Sequence, residues 1–248
     1  GSVEATHQIG LYGAASTMSN LYIGILISAM AAEFYPGLVQ VARDRKAMNQ
    51  LLNQQTTLAI AIGIPVTIVL LILAPWILAF LYTTEFVPGT DLMRWMLAGM
   101  AIRFASCPLG YSLLAAGSPR IIVLSELAMG VVMITSSYIL LQIYGLVGIG
   151  ISLVATNTLY LGGVIIVTRR MGIHWSAKTF RLLAQTFAVL AACLVVSLIL
   201  KGWQANLIAG GITAVYVAHL LTVLRRDAGI TLTILIGKLR NLIPRKHA

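Results

Sequence analysis

Apolar runs dominate the chain and are broken at intervals by short clusters of Gly, Pro and charge. Residues 47–84, 127–168, 182–200 and 202–224 contain no Asp, Glu, Lys or Arg. A helix needs about 20 apolar residues to cross the hydrocarbon core of a bilayer. Reading the runs against their breakers predicts seven spans, at 9–32, 54–82, 92–116, 120–143, 146–168, 181–200 and 204–224. The run 127–168 counts as two of them, because one helix of that length would be roughly twice the bilayer thickness. Its turn belongs near Tyr144-Gly145. The predicted fold is all-α: a polytopic membrane helical bundle of about seven transmembrane helices.

Composition sharpens this picture. The 248 residues are 59% hydrophobic and 10% charged, with a mean hydropathy of +0.92 and a net charge of +10. Soluble domains carry about 25% charged residues, so one water-soluble domain is excluded. A pI near 10.0 is also the mark of nucleic-acid binders, but here the basic residues sit between apolar spans, and no nucleic-acid partner is expected. Their order reads as topology. Arg43, Arg45 and Lys46 follow the first span, Arg120 the third, and Arg169, Arg170, Lys178 and Arg181 the fifth. Arg225, Arg226, Lys238, Arg240, Arg245 and Lys246 follow the seventh, whereas the alternate loops hold Glu85 and Asp91, nothing, and Lys201. This is the positive-inside pattern, which places residue 1 outside and the C-terminus in the cytoplasm. A parent chain starting in the cytoplasm would then have an odd number of spans upstream. The sequence begins without Met and reads as a piece of a longer chain, a cloning remnant at Gly1-Ser2 being the alternative. Residues 225–248 read as a basic, amphipathic cytoplasmic tail.

Candidate chemistry follows from polar residues inside the spans. In the first, Tyr12, Ser16 and Asn20 recur at helical spacing, with Gly13, Thr17, Gly24 and Ser28 beside them. Such a stripe serves helix packing or lines a hydrated cavity. Pro65 and Pro75 predict kinks in the second span, and Asn49, Asn53, Gln54 and Gln55 give it an amide-rich start. The third span holds Arg103 near its middle, where an Arg costs about 2.5–3.5 kcal/mol on the lenient insertion scale. Arg103 must therefore face protein or water, and its planar donor fork suits phosphate or carboxylate. Arg94, nearer the outer face, either snorkels or pairs with Asp91. Glu126, two turns into the fourth span, is the acid well inside the membrane; hairpin geometry sets it roughly 9 Å closer to the cytoplasm than Arg103. His219 reads as a packing residue, and Cys107 and Cys193 as small hydrophobes. No catalytic set, cofactor motif or metal-ligand spacing is present, so the chain is not expected to be an enzyme or to bind a cofactor or metal.

The order of these features resembles the polysaccharide-export flippases. Ile9-Gly10-Leu11-Tyr12-Gly13-Ala14-Ala15, Phe34-Tyr35-Pro36-Gly37-Leu38, Asn53-Gln54-Gln55, Leu81-Tyr82 with Glu85-Phe86, Arg94-Trp95, Cys107-Pro108-Leu109-Gly110 and Gly145-Leu146-Val147-Gly148 carry the likeness. They are similar to the O-antigen flippases of Wzx type, within the MATE-like superfamily, over residues 9–170. The resemblance implies that these five spans are the core of a C-terminal transporter lobe, with 181–224 adding two terminal spans. It implies a bacterial inner-membrane protein that moves undecaprenyl-diphosphate-linked oligosaccharide to the outer leaflet. Its partners would be that lipid-linked oligosaccharide, membrane lipids, the absent N-terminal lobe, and a polysaccharide polymerase or glycosyltransferases. On this reading Arg103 meets the diphosphate, Tyr12, Asn20 and Gln54 supply hydrogen bonds to sugar, and Glu126 and Arg94 complete the substrate site. A cation-coupled multidrug exporter and a non-transporting assembly subunit of a polysaccharide synthesis complex are the alternatives. A lone half-transporter would lack one wall of its cavity.

Overall fold

The computed structural model describes residues 2–200 and 203–227. They form seven α-helices: α1 (Ser2–Gln40), α2 (Arg45–Leu81), α3 (Thr90–Ala115), α4 (Pro119–Tyr144), α5 (Val147–Arg170), α6 (Ala177–Ile199) and α7 (Trp203–Asp227). A short 3-10 turn, Thr84–Gly89, precedes α3. Six of the helices are long and apolar enough to cross a membrane, and α7 carries a shorter apolar stretch, Leu207–Thr222. The chain is a multi-pass helical membrane protein, as the apolar pattern predicts. The proposed tail lies mostly outside the described residues, as does Lys201.

Helix ends are set by local chemistry that apolar runs do not reveal. α2 starts nine residues before the predicted span because Asp44 caps it, its Oδ1 accepting from the N–H groups of Lys46 and Ala47 at 2.9 and 3.1 Å. Ser176 caps α6 in the same way, its Oγ accepting from Thr179 N at 3.1 Å. These side chains satisfy N–H groups that have no helical partner. α1 runs past the predicted end at residue 32 and through Pro36, because Phe34 and Leu38 on either side are fully buried. Tertiary packing there outweighs the missing Pro36 N–H. The turns after α3 and α4 occur at Gly117 and Gly145, the second where the sequence places it, and their φ angles of 79° and 62° suit glycine.

α3 is the central helix and packs on α1, α2, α4, α5 and α6, most extensively on α5. Leu92, Met93, Leu97 and Ala101 of α3 meet Ile60, Ile64, Ile68 and Leu71 of α2 in one core. Cys193 of α6 is buried in the same core. His219, by contrast, is exposed on α7. α4 lies at the periphery and has no buried residue. The segments expected on one side of the membrane do come together: residue 89 lies against Leu11, and the Arg43–Lys46 region meets the loop after α5 through Asn49 and Gly172.

Candidate functional site

Arg103 sits midway along α3, about 18–20 Å from either end at 1.5 Å per residue. Its Nη2 donates to Glu126 Oε1 of α4 at 2.6 Å. The offset in depth expected from the hairpin is thus bridged, the two long side chains reaching toward each other. The guanidinium carbon lies 4.3 Å from the ring centroid of Tyr160 on α5, a cation–π contact. One face of the guanidinium is therefore on an aromatic ring and one corner on a carboxylate. Glu126 is its one hydrogen-bond acceptor among the described residues, so most of the donor fork remains open. The side chains of Arg103 and Glu126 remain 28% and 41% exposed. This is a charged pair at mid-membrane depth that the chain itself does not bury.

The helix packing explains the arrangement. α5 turns Ser152, Thr156, Asn157 and Tyr160 inward, and Asn157 Nδ2 donates to Gly99 O of α3 at 3.0 Å. Gly99 and Gly150 allow the close approach: a Cβ at Gly99 would lie 3.0 Å from Val154 N, and one at Gly150 would lie 2.6 Å from Trp95 Cβ. Small residues that let backbones meet are a common device of membrane helices. They bring Tyr160 against Arg103. Ser106 Oγ and Cys107 Sγ both turn back to donate to Arg103 O, at 2.6 and 3.4 Å. Further along α3, Tyr111 packs against Phe34 and Tyr35 of α1, giving the site an aromatic flank.

The other predicted site residues do not converge on this pair. Arg94 pairs with Asp91 at 3.1 Å, one of the two expected fates. It is also buried, donating from Nη1 to Ser197 O at 2.7 Å and from Nε to Leu71 O at 3.3 Å. Leu71 is four residues before Pro75, which has no N–H, so Arg94 fills the helical bond that Pro75 leaves open. The guanidinium thus clasps α2, α3 and α6 and does not join the Arg103–Glu126 pair. Tyr12 follows Leu11, which touches Gly89, so it stands near the end of the bundle opposite the basic loops. Asn20 is exposed, with Nδ2 donating to Ser16 O and Oγ on its own helix. The contacts of Leu11 with Gly89 and Phe34 with Tyr111 place Asn20 about 8 Å from the level of Arg103 along the axis. Of the predicted stripe, Tyr12, Gly13, Thr17, Asn20, Gly24 and Ser28 are exposed and Ser16 is half-buried. Gln54 lies elsewhere, in a cleft with Asn49 and His174.

Two contributors are not among the expected site residues. Tyr160 lies in the chargeless run 127–168, and its one signal is the cluster Thr156-Asn157 a turn earlier. Tyr22 donates from its hydroxyl to Gly63 O at 2.6 Å, tying α1 to α2 beside Pro65.

Comparison with known proteins agrees with this architecture. The profile of a family described as "Polysaccharide biosynthesis protein" matches residues 1–90. The chain is 20% identical over 166 residues to the lipid III flippase of Escherichia coli (strain K12), covering 66% of this chain and 40% of that protein. The lipid III flippase of Shigella flexneri matches to the same extent. Among solved structures, the lipid II flippase MurJ in an inward closed conformation superposes with a TM-score of 0.65 at 16% identity, over 89% of this chain and 48% of that one. The chain thus spans about half the length of the proteins it matches. The resemblance to lipid-linked flippases seen in the sequence is supported, and the helical fold is shared with about half of MurJ.

Proposed function

We propose that this chain forms one lobe of a bacterial inner-membrane flippase that exports polysaccharide repeat units as undecaprenyl-diphosphate-linked oligosaccharide of O-antigen type. The observation that carries the proposal is the open guanidinium of Arg103 at mid-depth. A diphosphate leaving the headgroup region loses hydration, and a planar cation held by Tyr160 offsets that cost through charge-assisted hydrogen bonds. Glu126 is the internal counter-ion that occupies the guanidinium until the diphosphate displaces it. The exposed stripe of α1, with Asn20 and Tyr12, faces the sugars and the complementary lobe. The headgroup crosses as the two lobes alternate access while the lipid tail stays in the bilayer. Binding and motion do the work, and no bond is made or broken.

A cation exporter would use a carboxylate as its binding group, but here Glu126 is already paired with Arg103. Replacement of Arg103 by Ala and by Lys at the native locus, with surface polysaccharide as readout, tests the role. Arg103→Ala should abolish export and Arg103→Lys should retain part of it, since Lys keeps the charge but loses the fork. Normal export by Arg103→Ala at normal protein level would overturn the proposal.

A further inference from the structure

At the basic end of the bundle, the first turns of α2 and the loop between α5 and α6 enclose an open cleft of about 890 Å³. Two columns of side chains at a spacing of four run along α2 here, Arg45-Asn49-Asn53 and Lys46-Gln50-Gln54. Asn49 and Asn53 build the wall. Asn49 donates to Gly172 O at 2.9 Å and accepts from His174 N at 3.1 Å. Asn53 donates to His174 O at 3.3 Å and accepts from Ser176 N at 2.7 Å. Trp175 between them anchors the loop by donating from Nε1 to Thr56 Oγ1 at 3.0 Å. The second column is unoccupied: Lys46, Gln50 and Gln54 are exposed, and their side chains make no hydrogen bond with any described residue. Among the described residues, Arg45 has only the thioether of Met48 at 3.8 Å, a weak acceptor. No carboxylate lines the cleft; neighbouring Asp44 uses Oδ1 to cap α2.

We infer that this cleft binds the headgroup of an anionic, hydroxylated glycerophospholipid of the phosphatidylglycerol kind. Three features carry the inference. α2 has 37 residues, about 55 Å of helix against a hydrocarbon core of about 30 Å, so its first turns project to headgroup level. Arg45 and Lys46 present donors to a phosphate, and exposed Arg169 and Arg170 end α5 just before Gly172, outside the lining but of the same sign of charge. Basic pockets between membrane helices hold anionic headgroups in this way. Gln50 and Gln54, free to donate and accept, match glycerol hydroxyls over about 6 Å of helix. A zwitterionic headgroup would bring an ammonium among cations with no carboxylate to receive it. The site is separate from the Arg103 pair and does not depend on what the lobe transports.

Native mass spectrometry of the purified protein, supplied with phosphatidylglycerol or phosphatidylethanolamine, tests this. One phosphatidylglycerol should be retained selectively over phosphatidylethanolamine, and the Arg45→Gln/Lys46→Gln variant should bind it at least about tenfold more weakly. Gln50→Leu/Gln54→Leu should keep binding of phosphatidic acid, which lacks the glycerol hydroxyls, but lose the preference for phosphatidylglycerol over it. Arg120→Gln, which removes an exposed cation from the start of α4, should change nothing. Equal loss in Arg120→Gln would mean diffuse charge attraction and overturn the site. Equal retention of phosphatidylethanolamine would also overturn it. Displacement of the lipid by millimolar inorganic phosphate would assign the cleft to a soluble anion and refute the lipid assignment.

Discussion

Arg94 gives the most quantitative test of how this bundle is held together. Pro75 leaves Leu71 O without a helical donor, and Ser197 lies in the last turn of α6, where carbonyls run out of donors. Arg94 supplies both, at 3.3 and 2.7 Å. Hydrogen bonds from a charged donor contribute about 1.5–3 kcal/mol in soluble proteins, whereas intramembrane ones average about 0.6 and reach about 1.7 kcal/mol. The contact with Asp91, which is 51% exposed, adds little. Arg94→Met keeps most of the volume and removes both carbonyl bonds, so the expected loss is about 2–3 kcal/mol. For a chain of this size that lowers the apparent Tm by roughly 5–10 °C. Pro75→Ala restores an N–H for Leu71 O, so Arg94→Met should cost about 1 kcal/mol less in that background. Fluorescence-detected thermal melts of the four proteins in one detergent complete the cycle. If Arg94→Met costs the same with and without Pro75, Arg94 does not stand in for the missing donor. If its Tm equals that of the parent, the whole clasp is refuted.

Gly148→Ala would place a Cβ 2.1 Å from Leu140 O, whereas nothing lies within 4 Å of a Cβ at Gly163; the first substitution should cost about 1–3 kcal/mol and the second should not lower the melting temperature. Glu126→Ala should destabilise the protein by leaving Arg103 unpaired, and Arg103→Met should cancel the loss in the double variant, with a coupling of about 1 kcal/mol because the pair is partly exposed; zero coupling in thermal melts would deny the ion pair. Asn53→Ala removes two bonds to the α5–α6 loop, and hydrogen exchange at residues 172–176 should accelerate by roughly tenfold for a loss of about 1.4 kcal/mol. For orientation, Cys introduced at position 85 should be labelled from outside and Cys at position 43 should not, in a background with Cys107 and Cys193 replaced by Ser; the reverse pattern would invert the topology.

Seven helices, their hairpins and the alternation of basic and non-basic loops were legible in the chain, because a bilayer imposes a minimum length on every apolar run and a cost on every buried charge. For the same reason Arg103 stood out by its position alone: an Arg at the centre of a span has to face something polar. Which helix lies at the centre could not be read this way, since lipid and protein interiors are equally apolar and α3 looks no more buried in sequence than α4. Glycine contacts at Gly99 and Gly150 decide that, and they also carry Tyr160 to Arg103. The fate of Arg94 depended on Pro75 and Ser197, 19 and 103 residues away, and only folding brings the carbonyls of Leu71 and Ser197 to it. Gln54, grouped with Arg103 by its polarity, lies about 14 Å from the level of Gly63 along α2, where Phe104 packs. Polarity tells that a side chain needs a partner; the depth and face of its helix decide which one it finds.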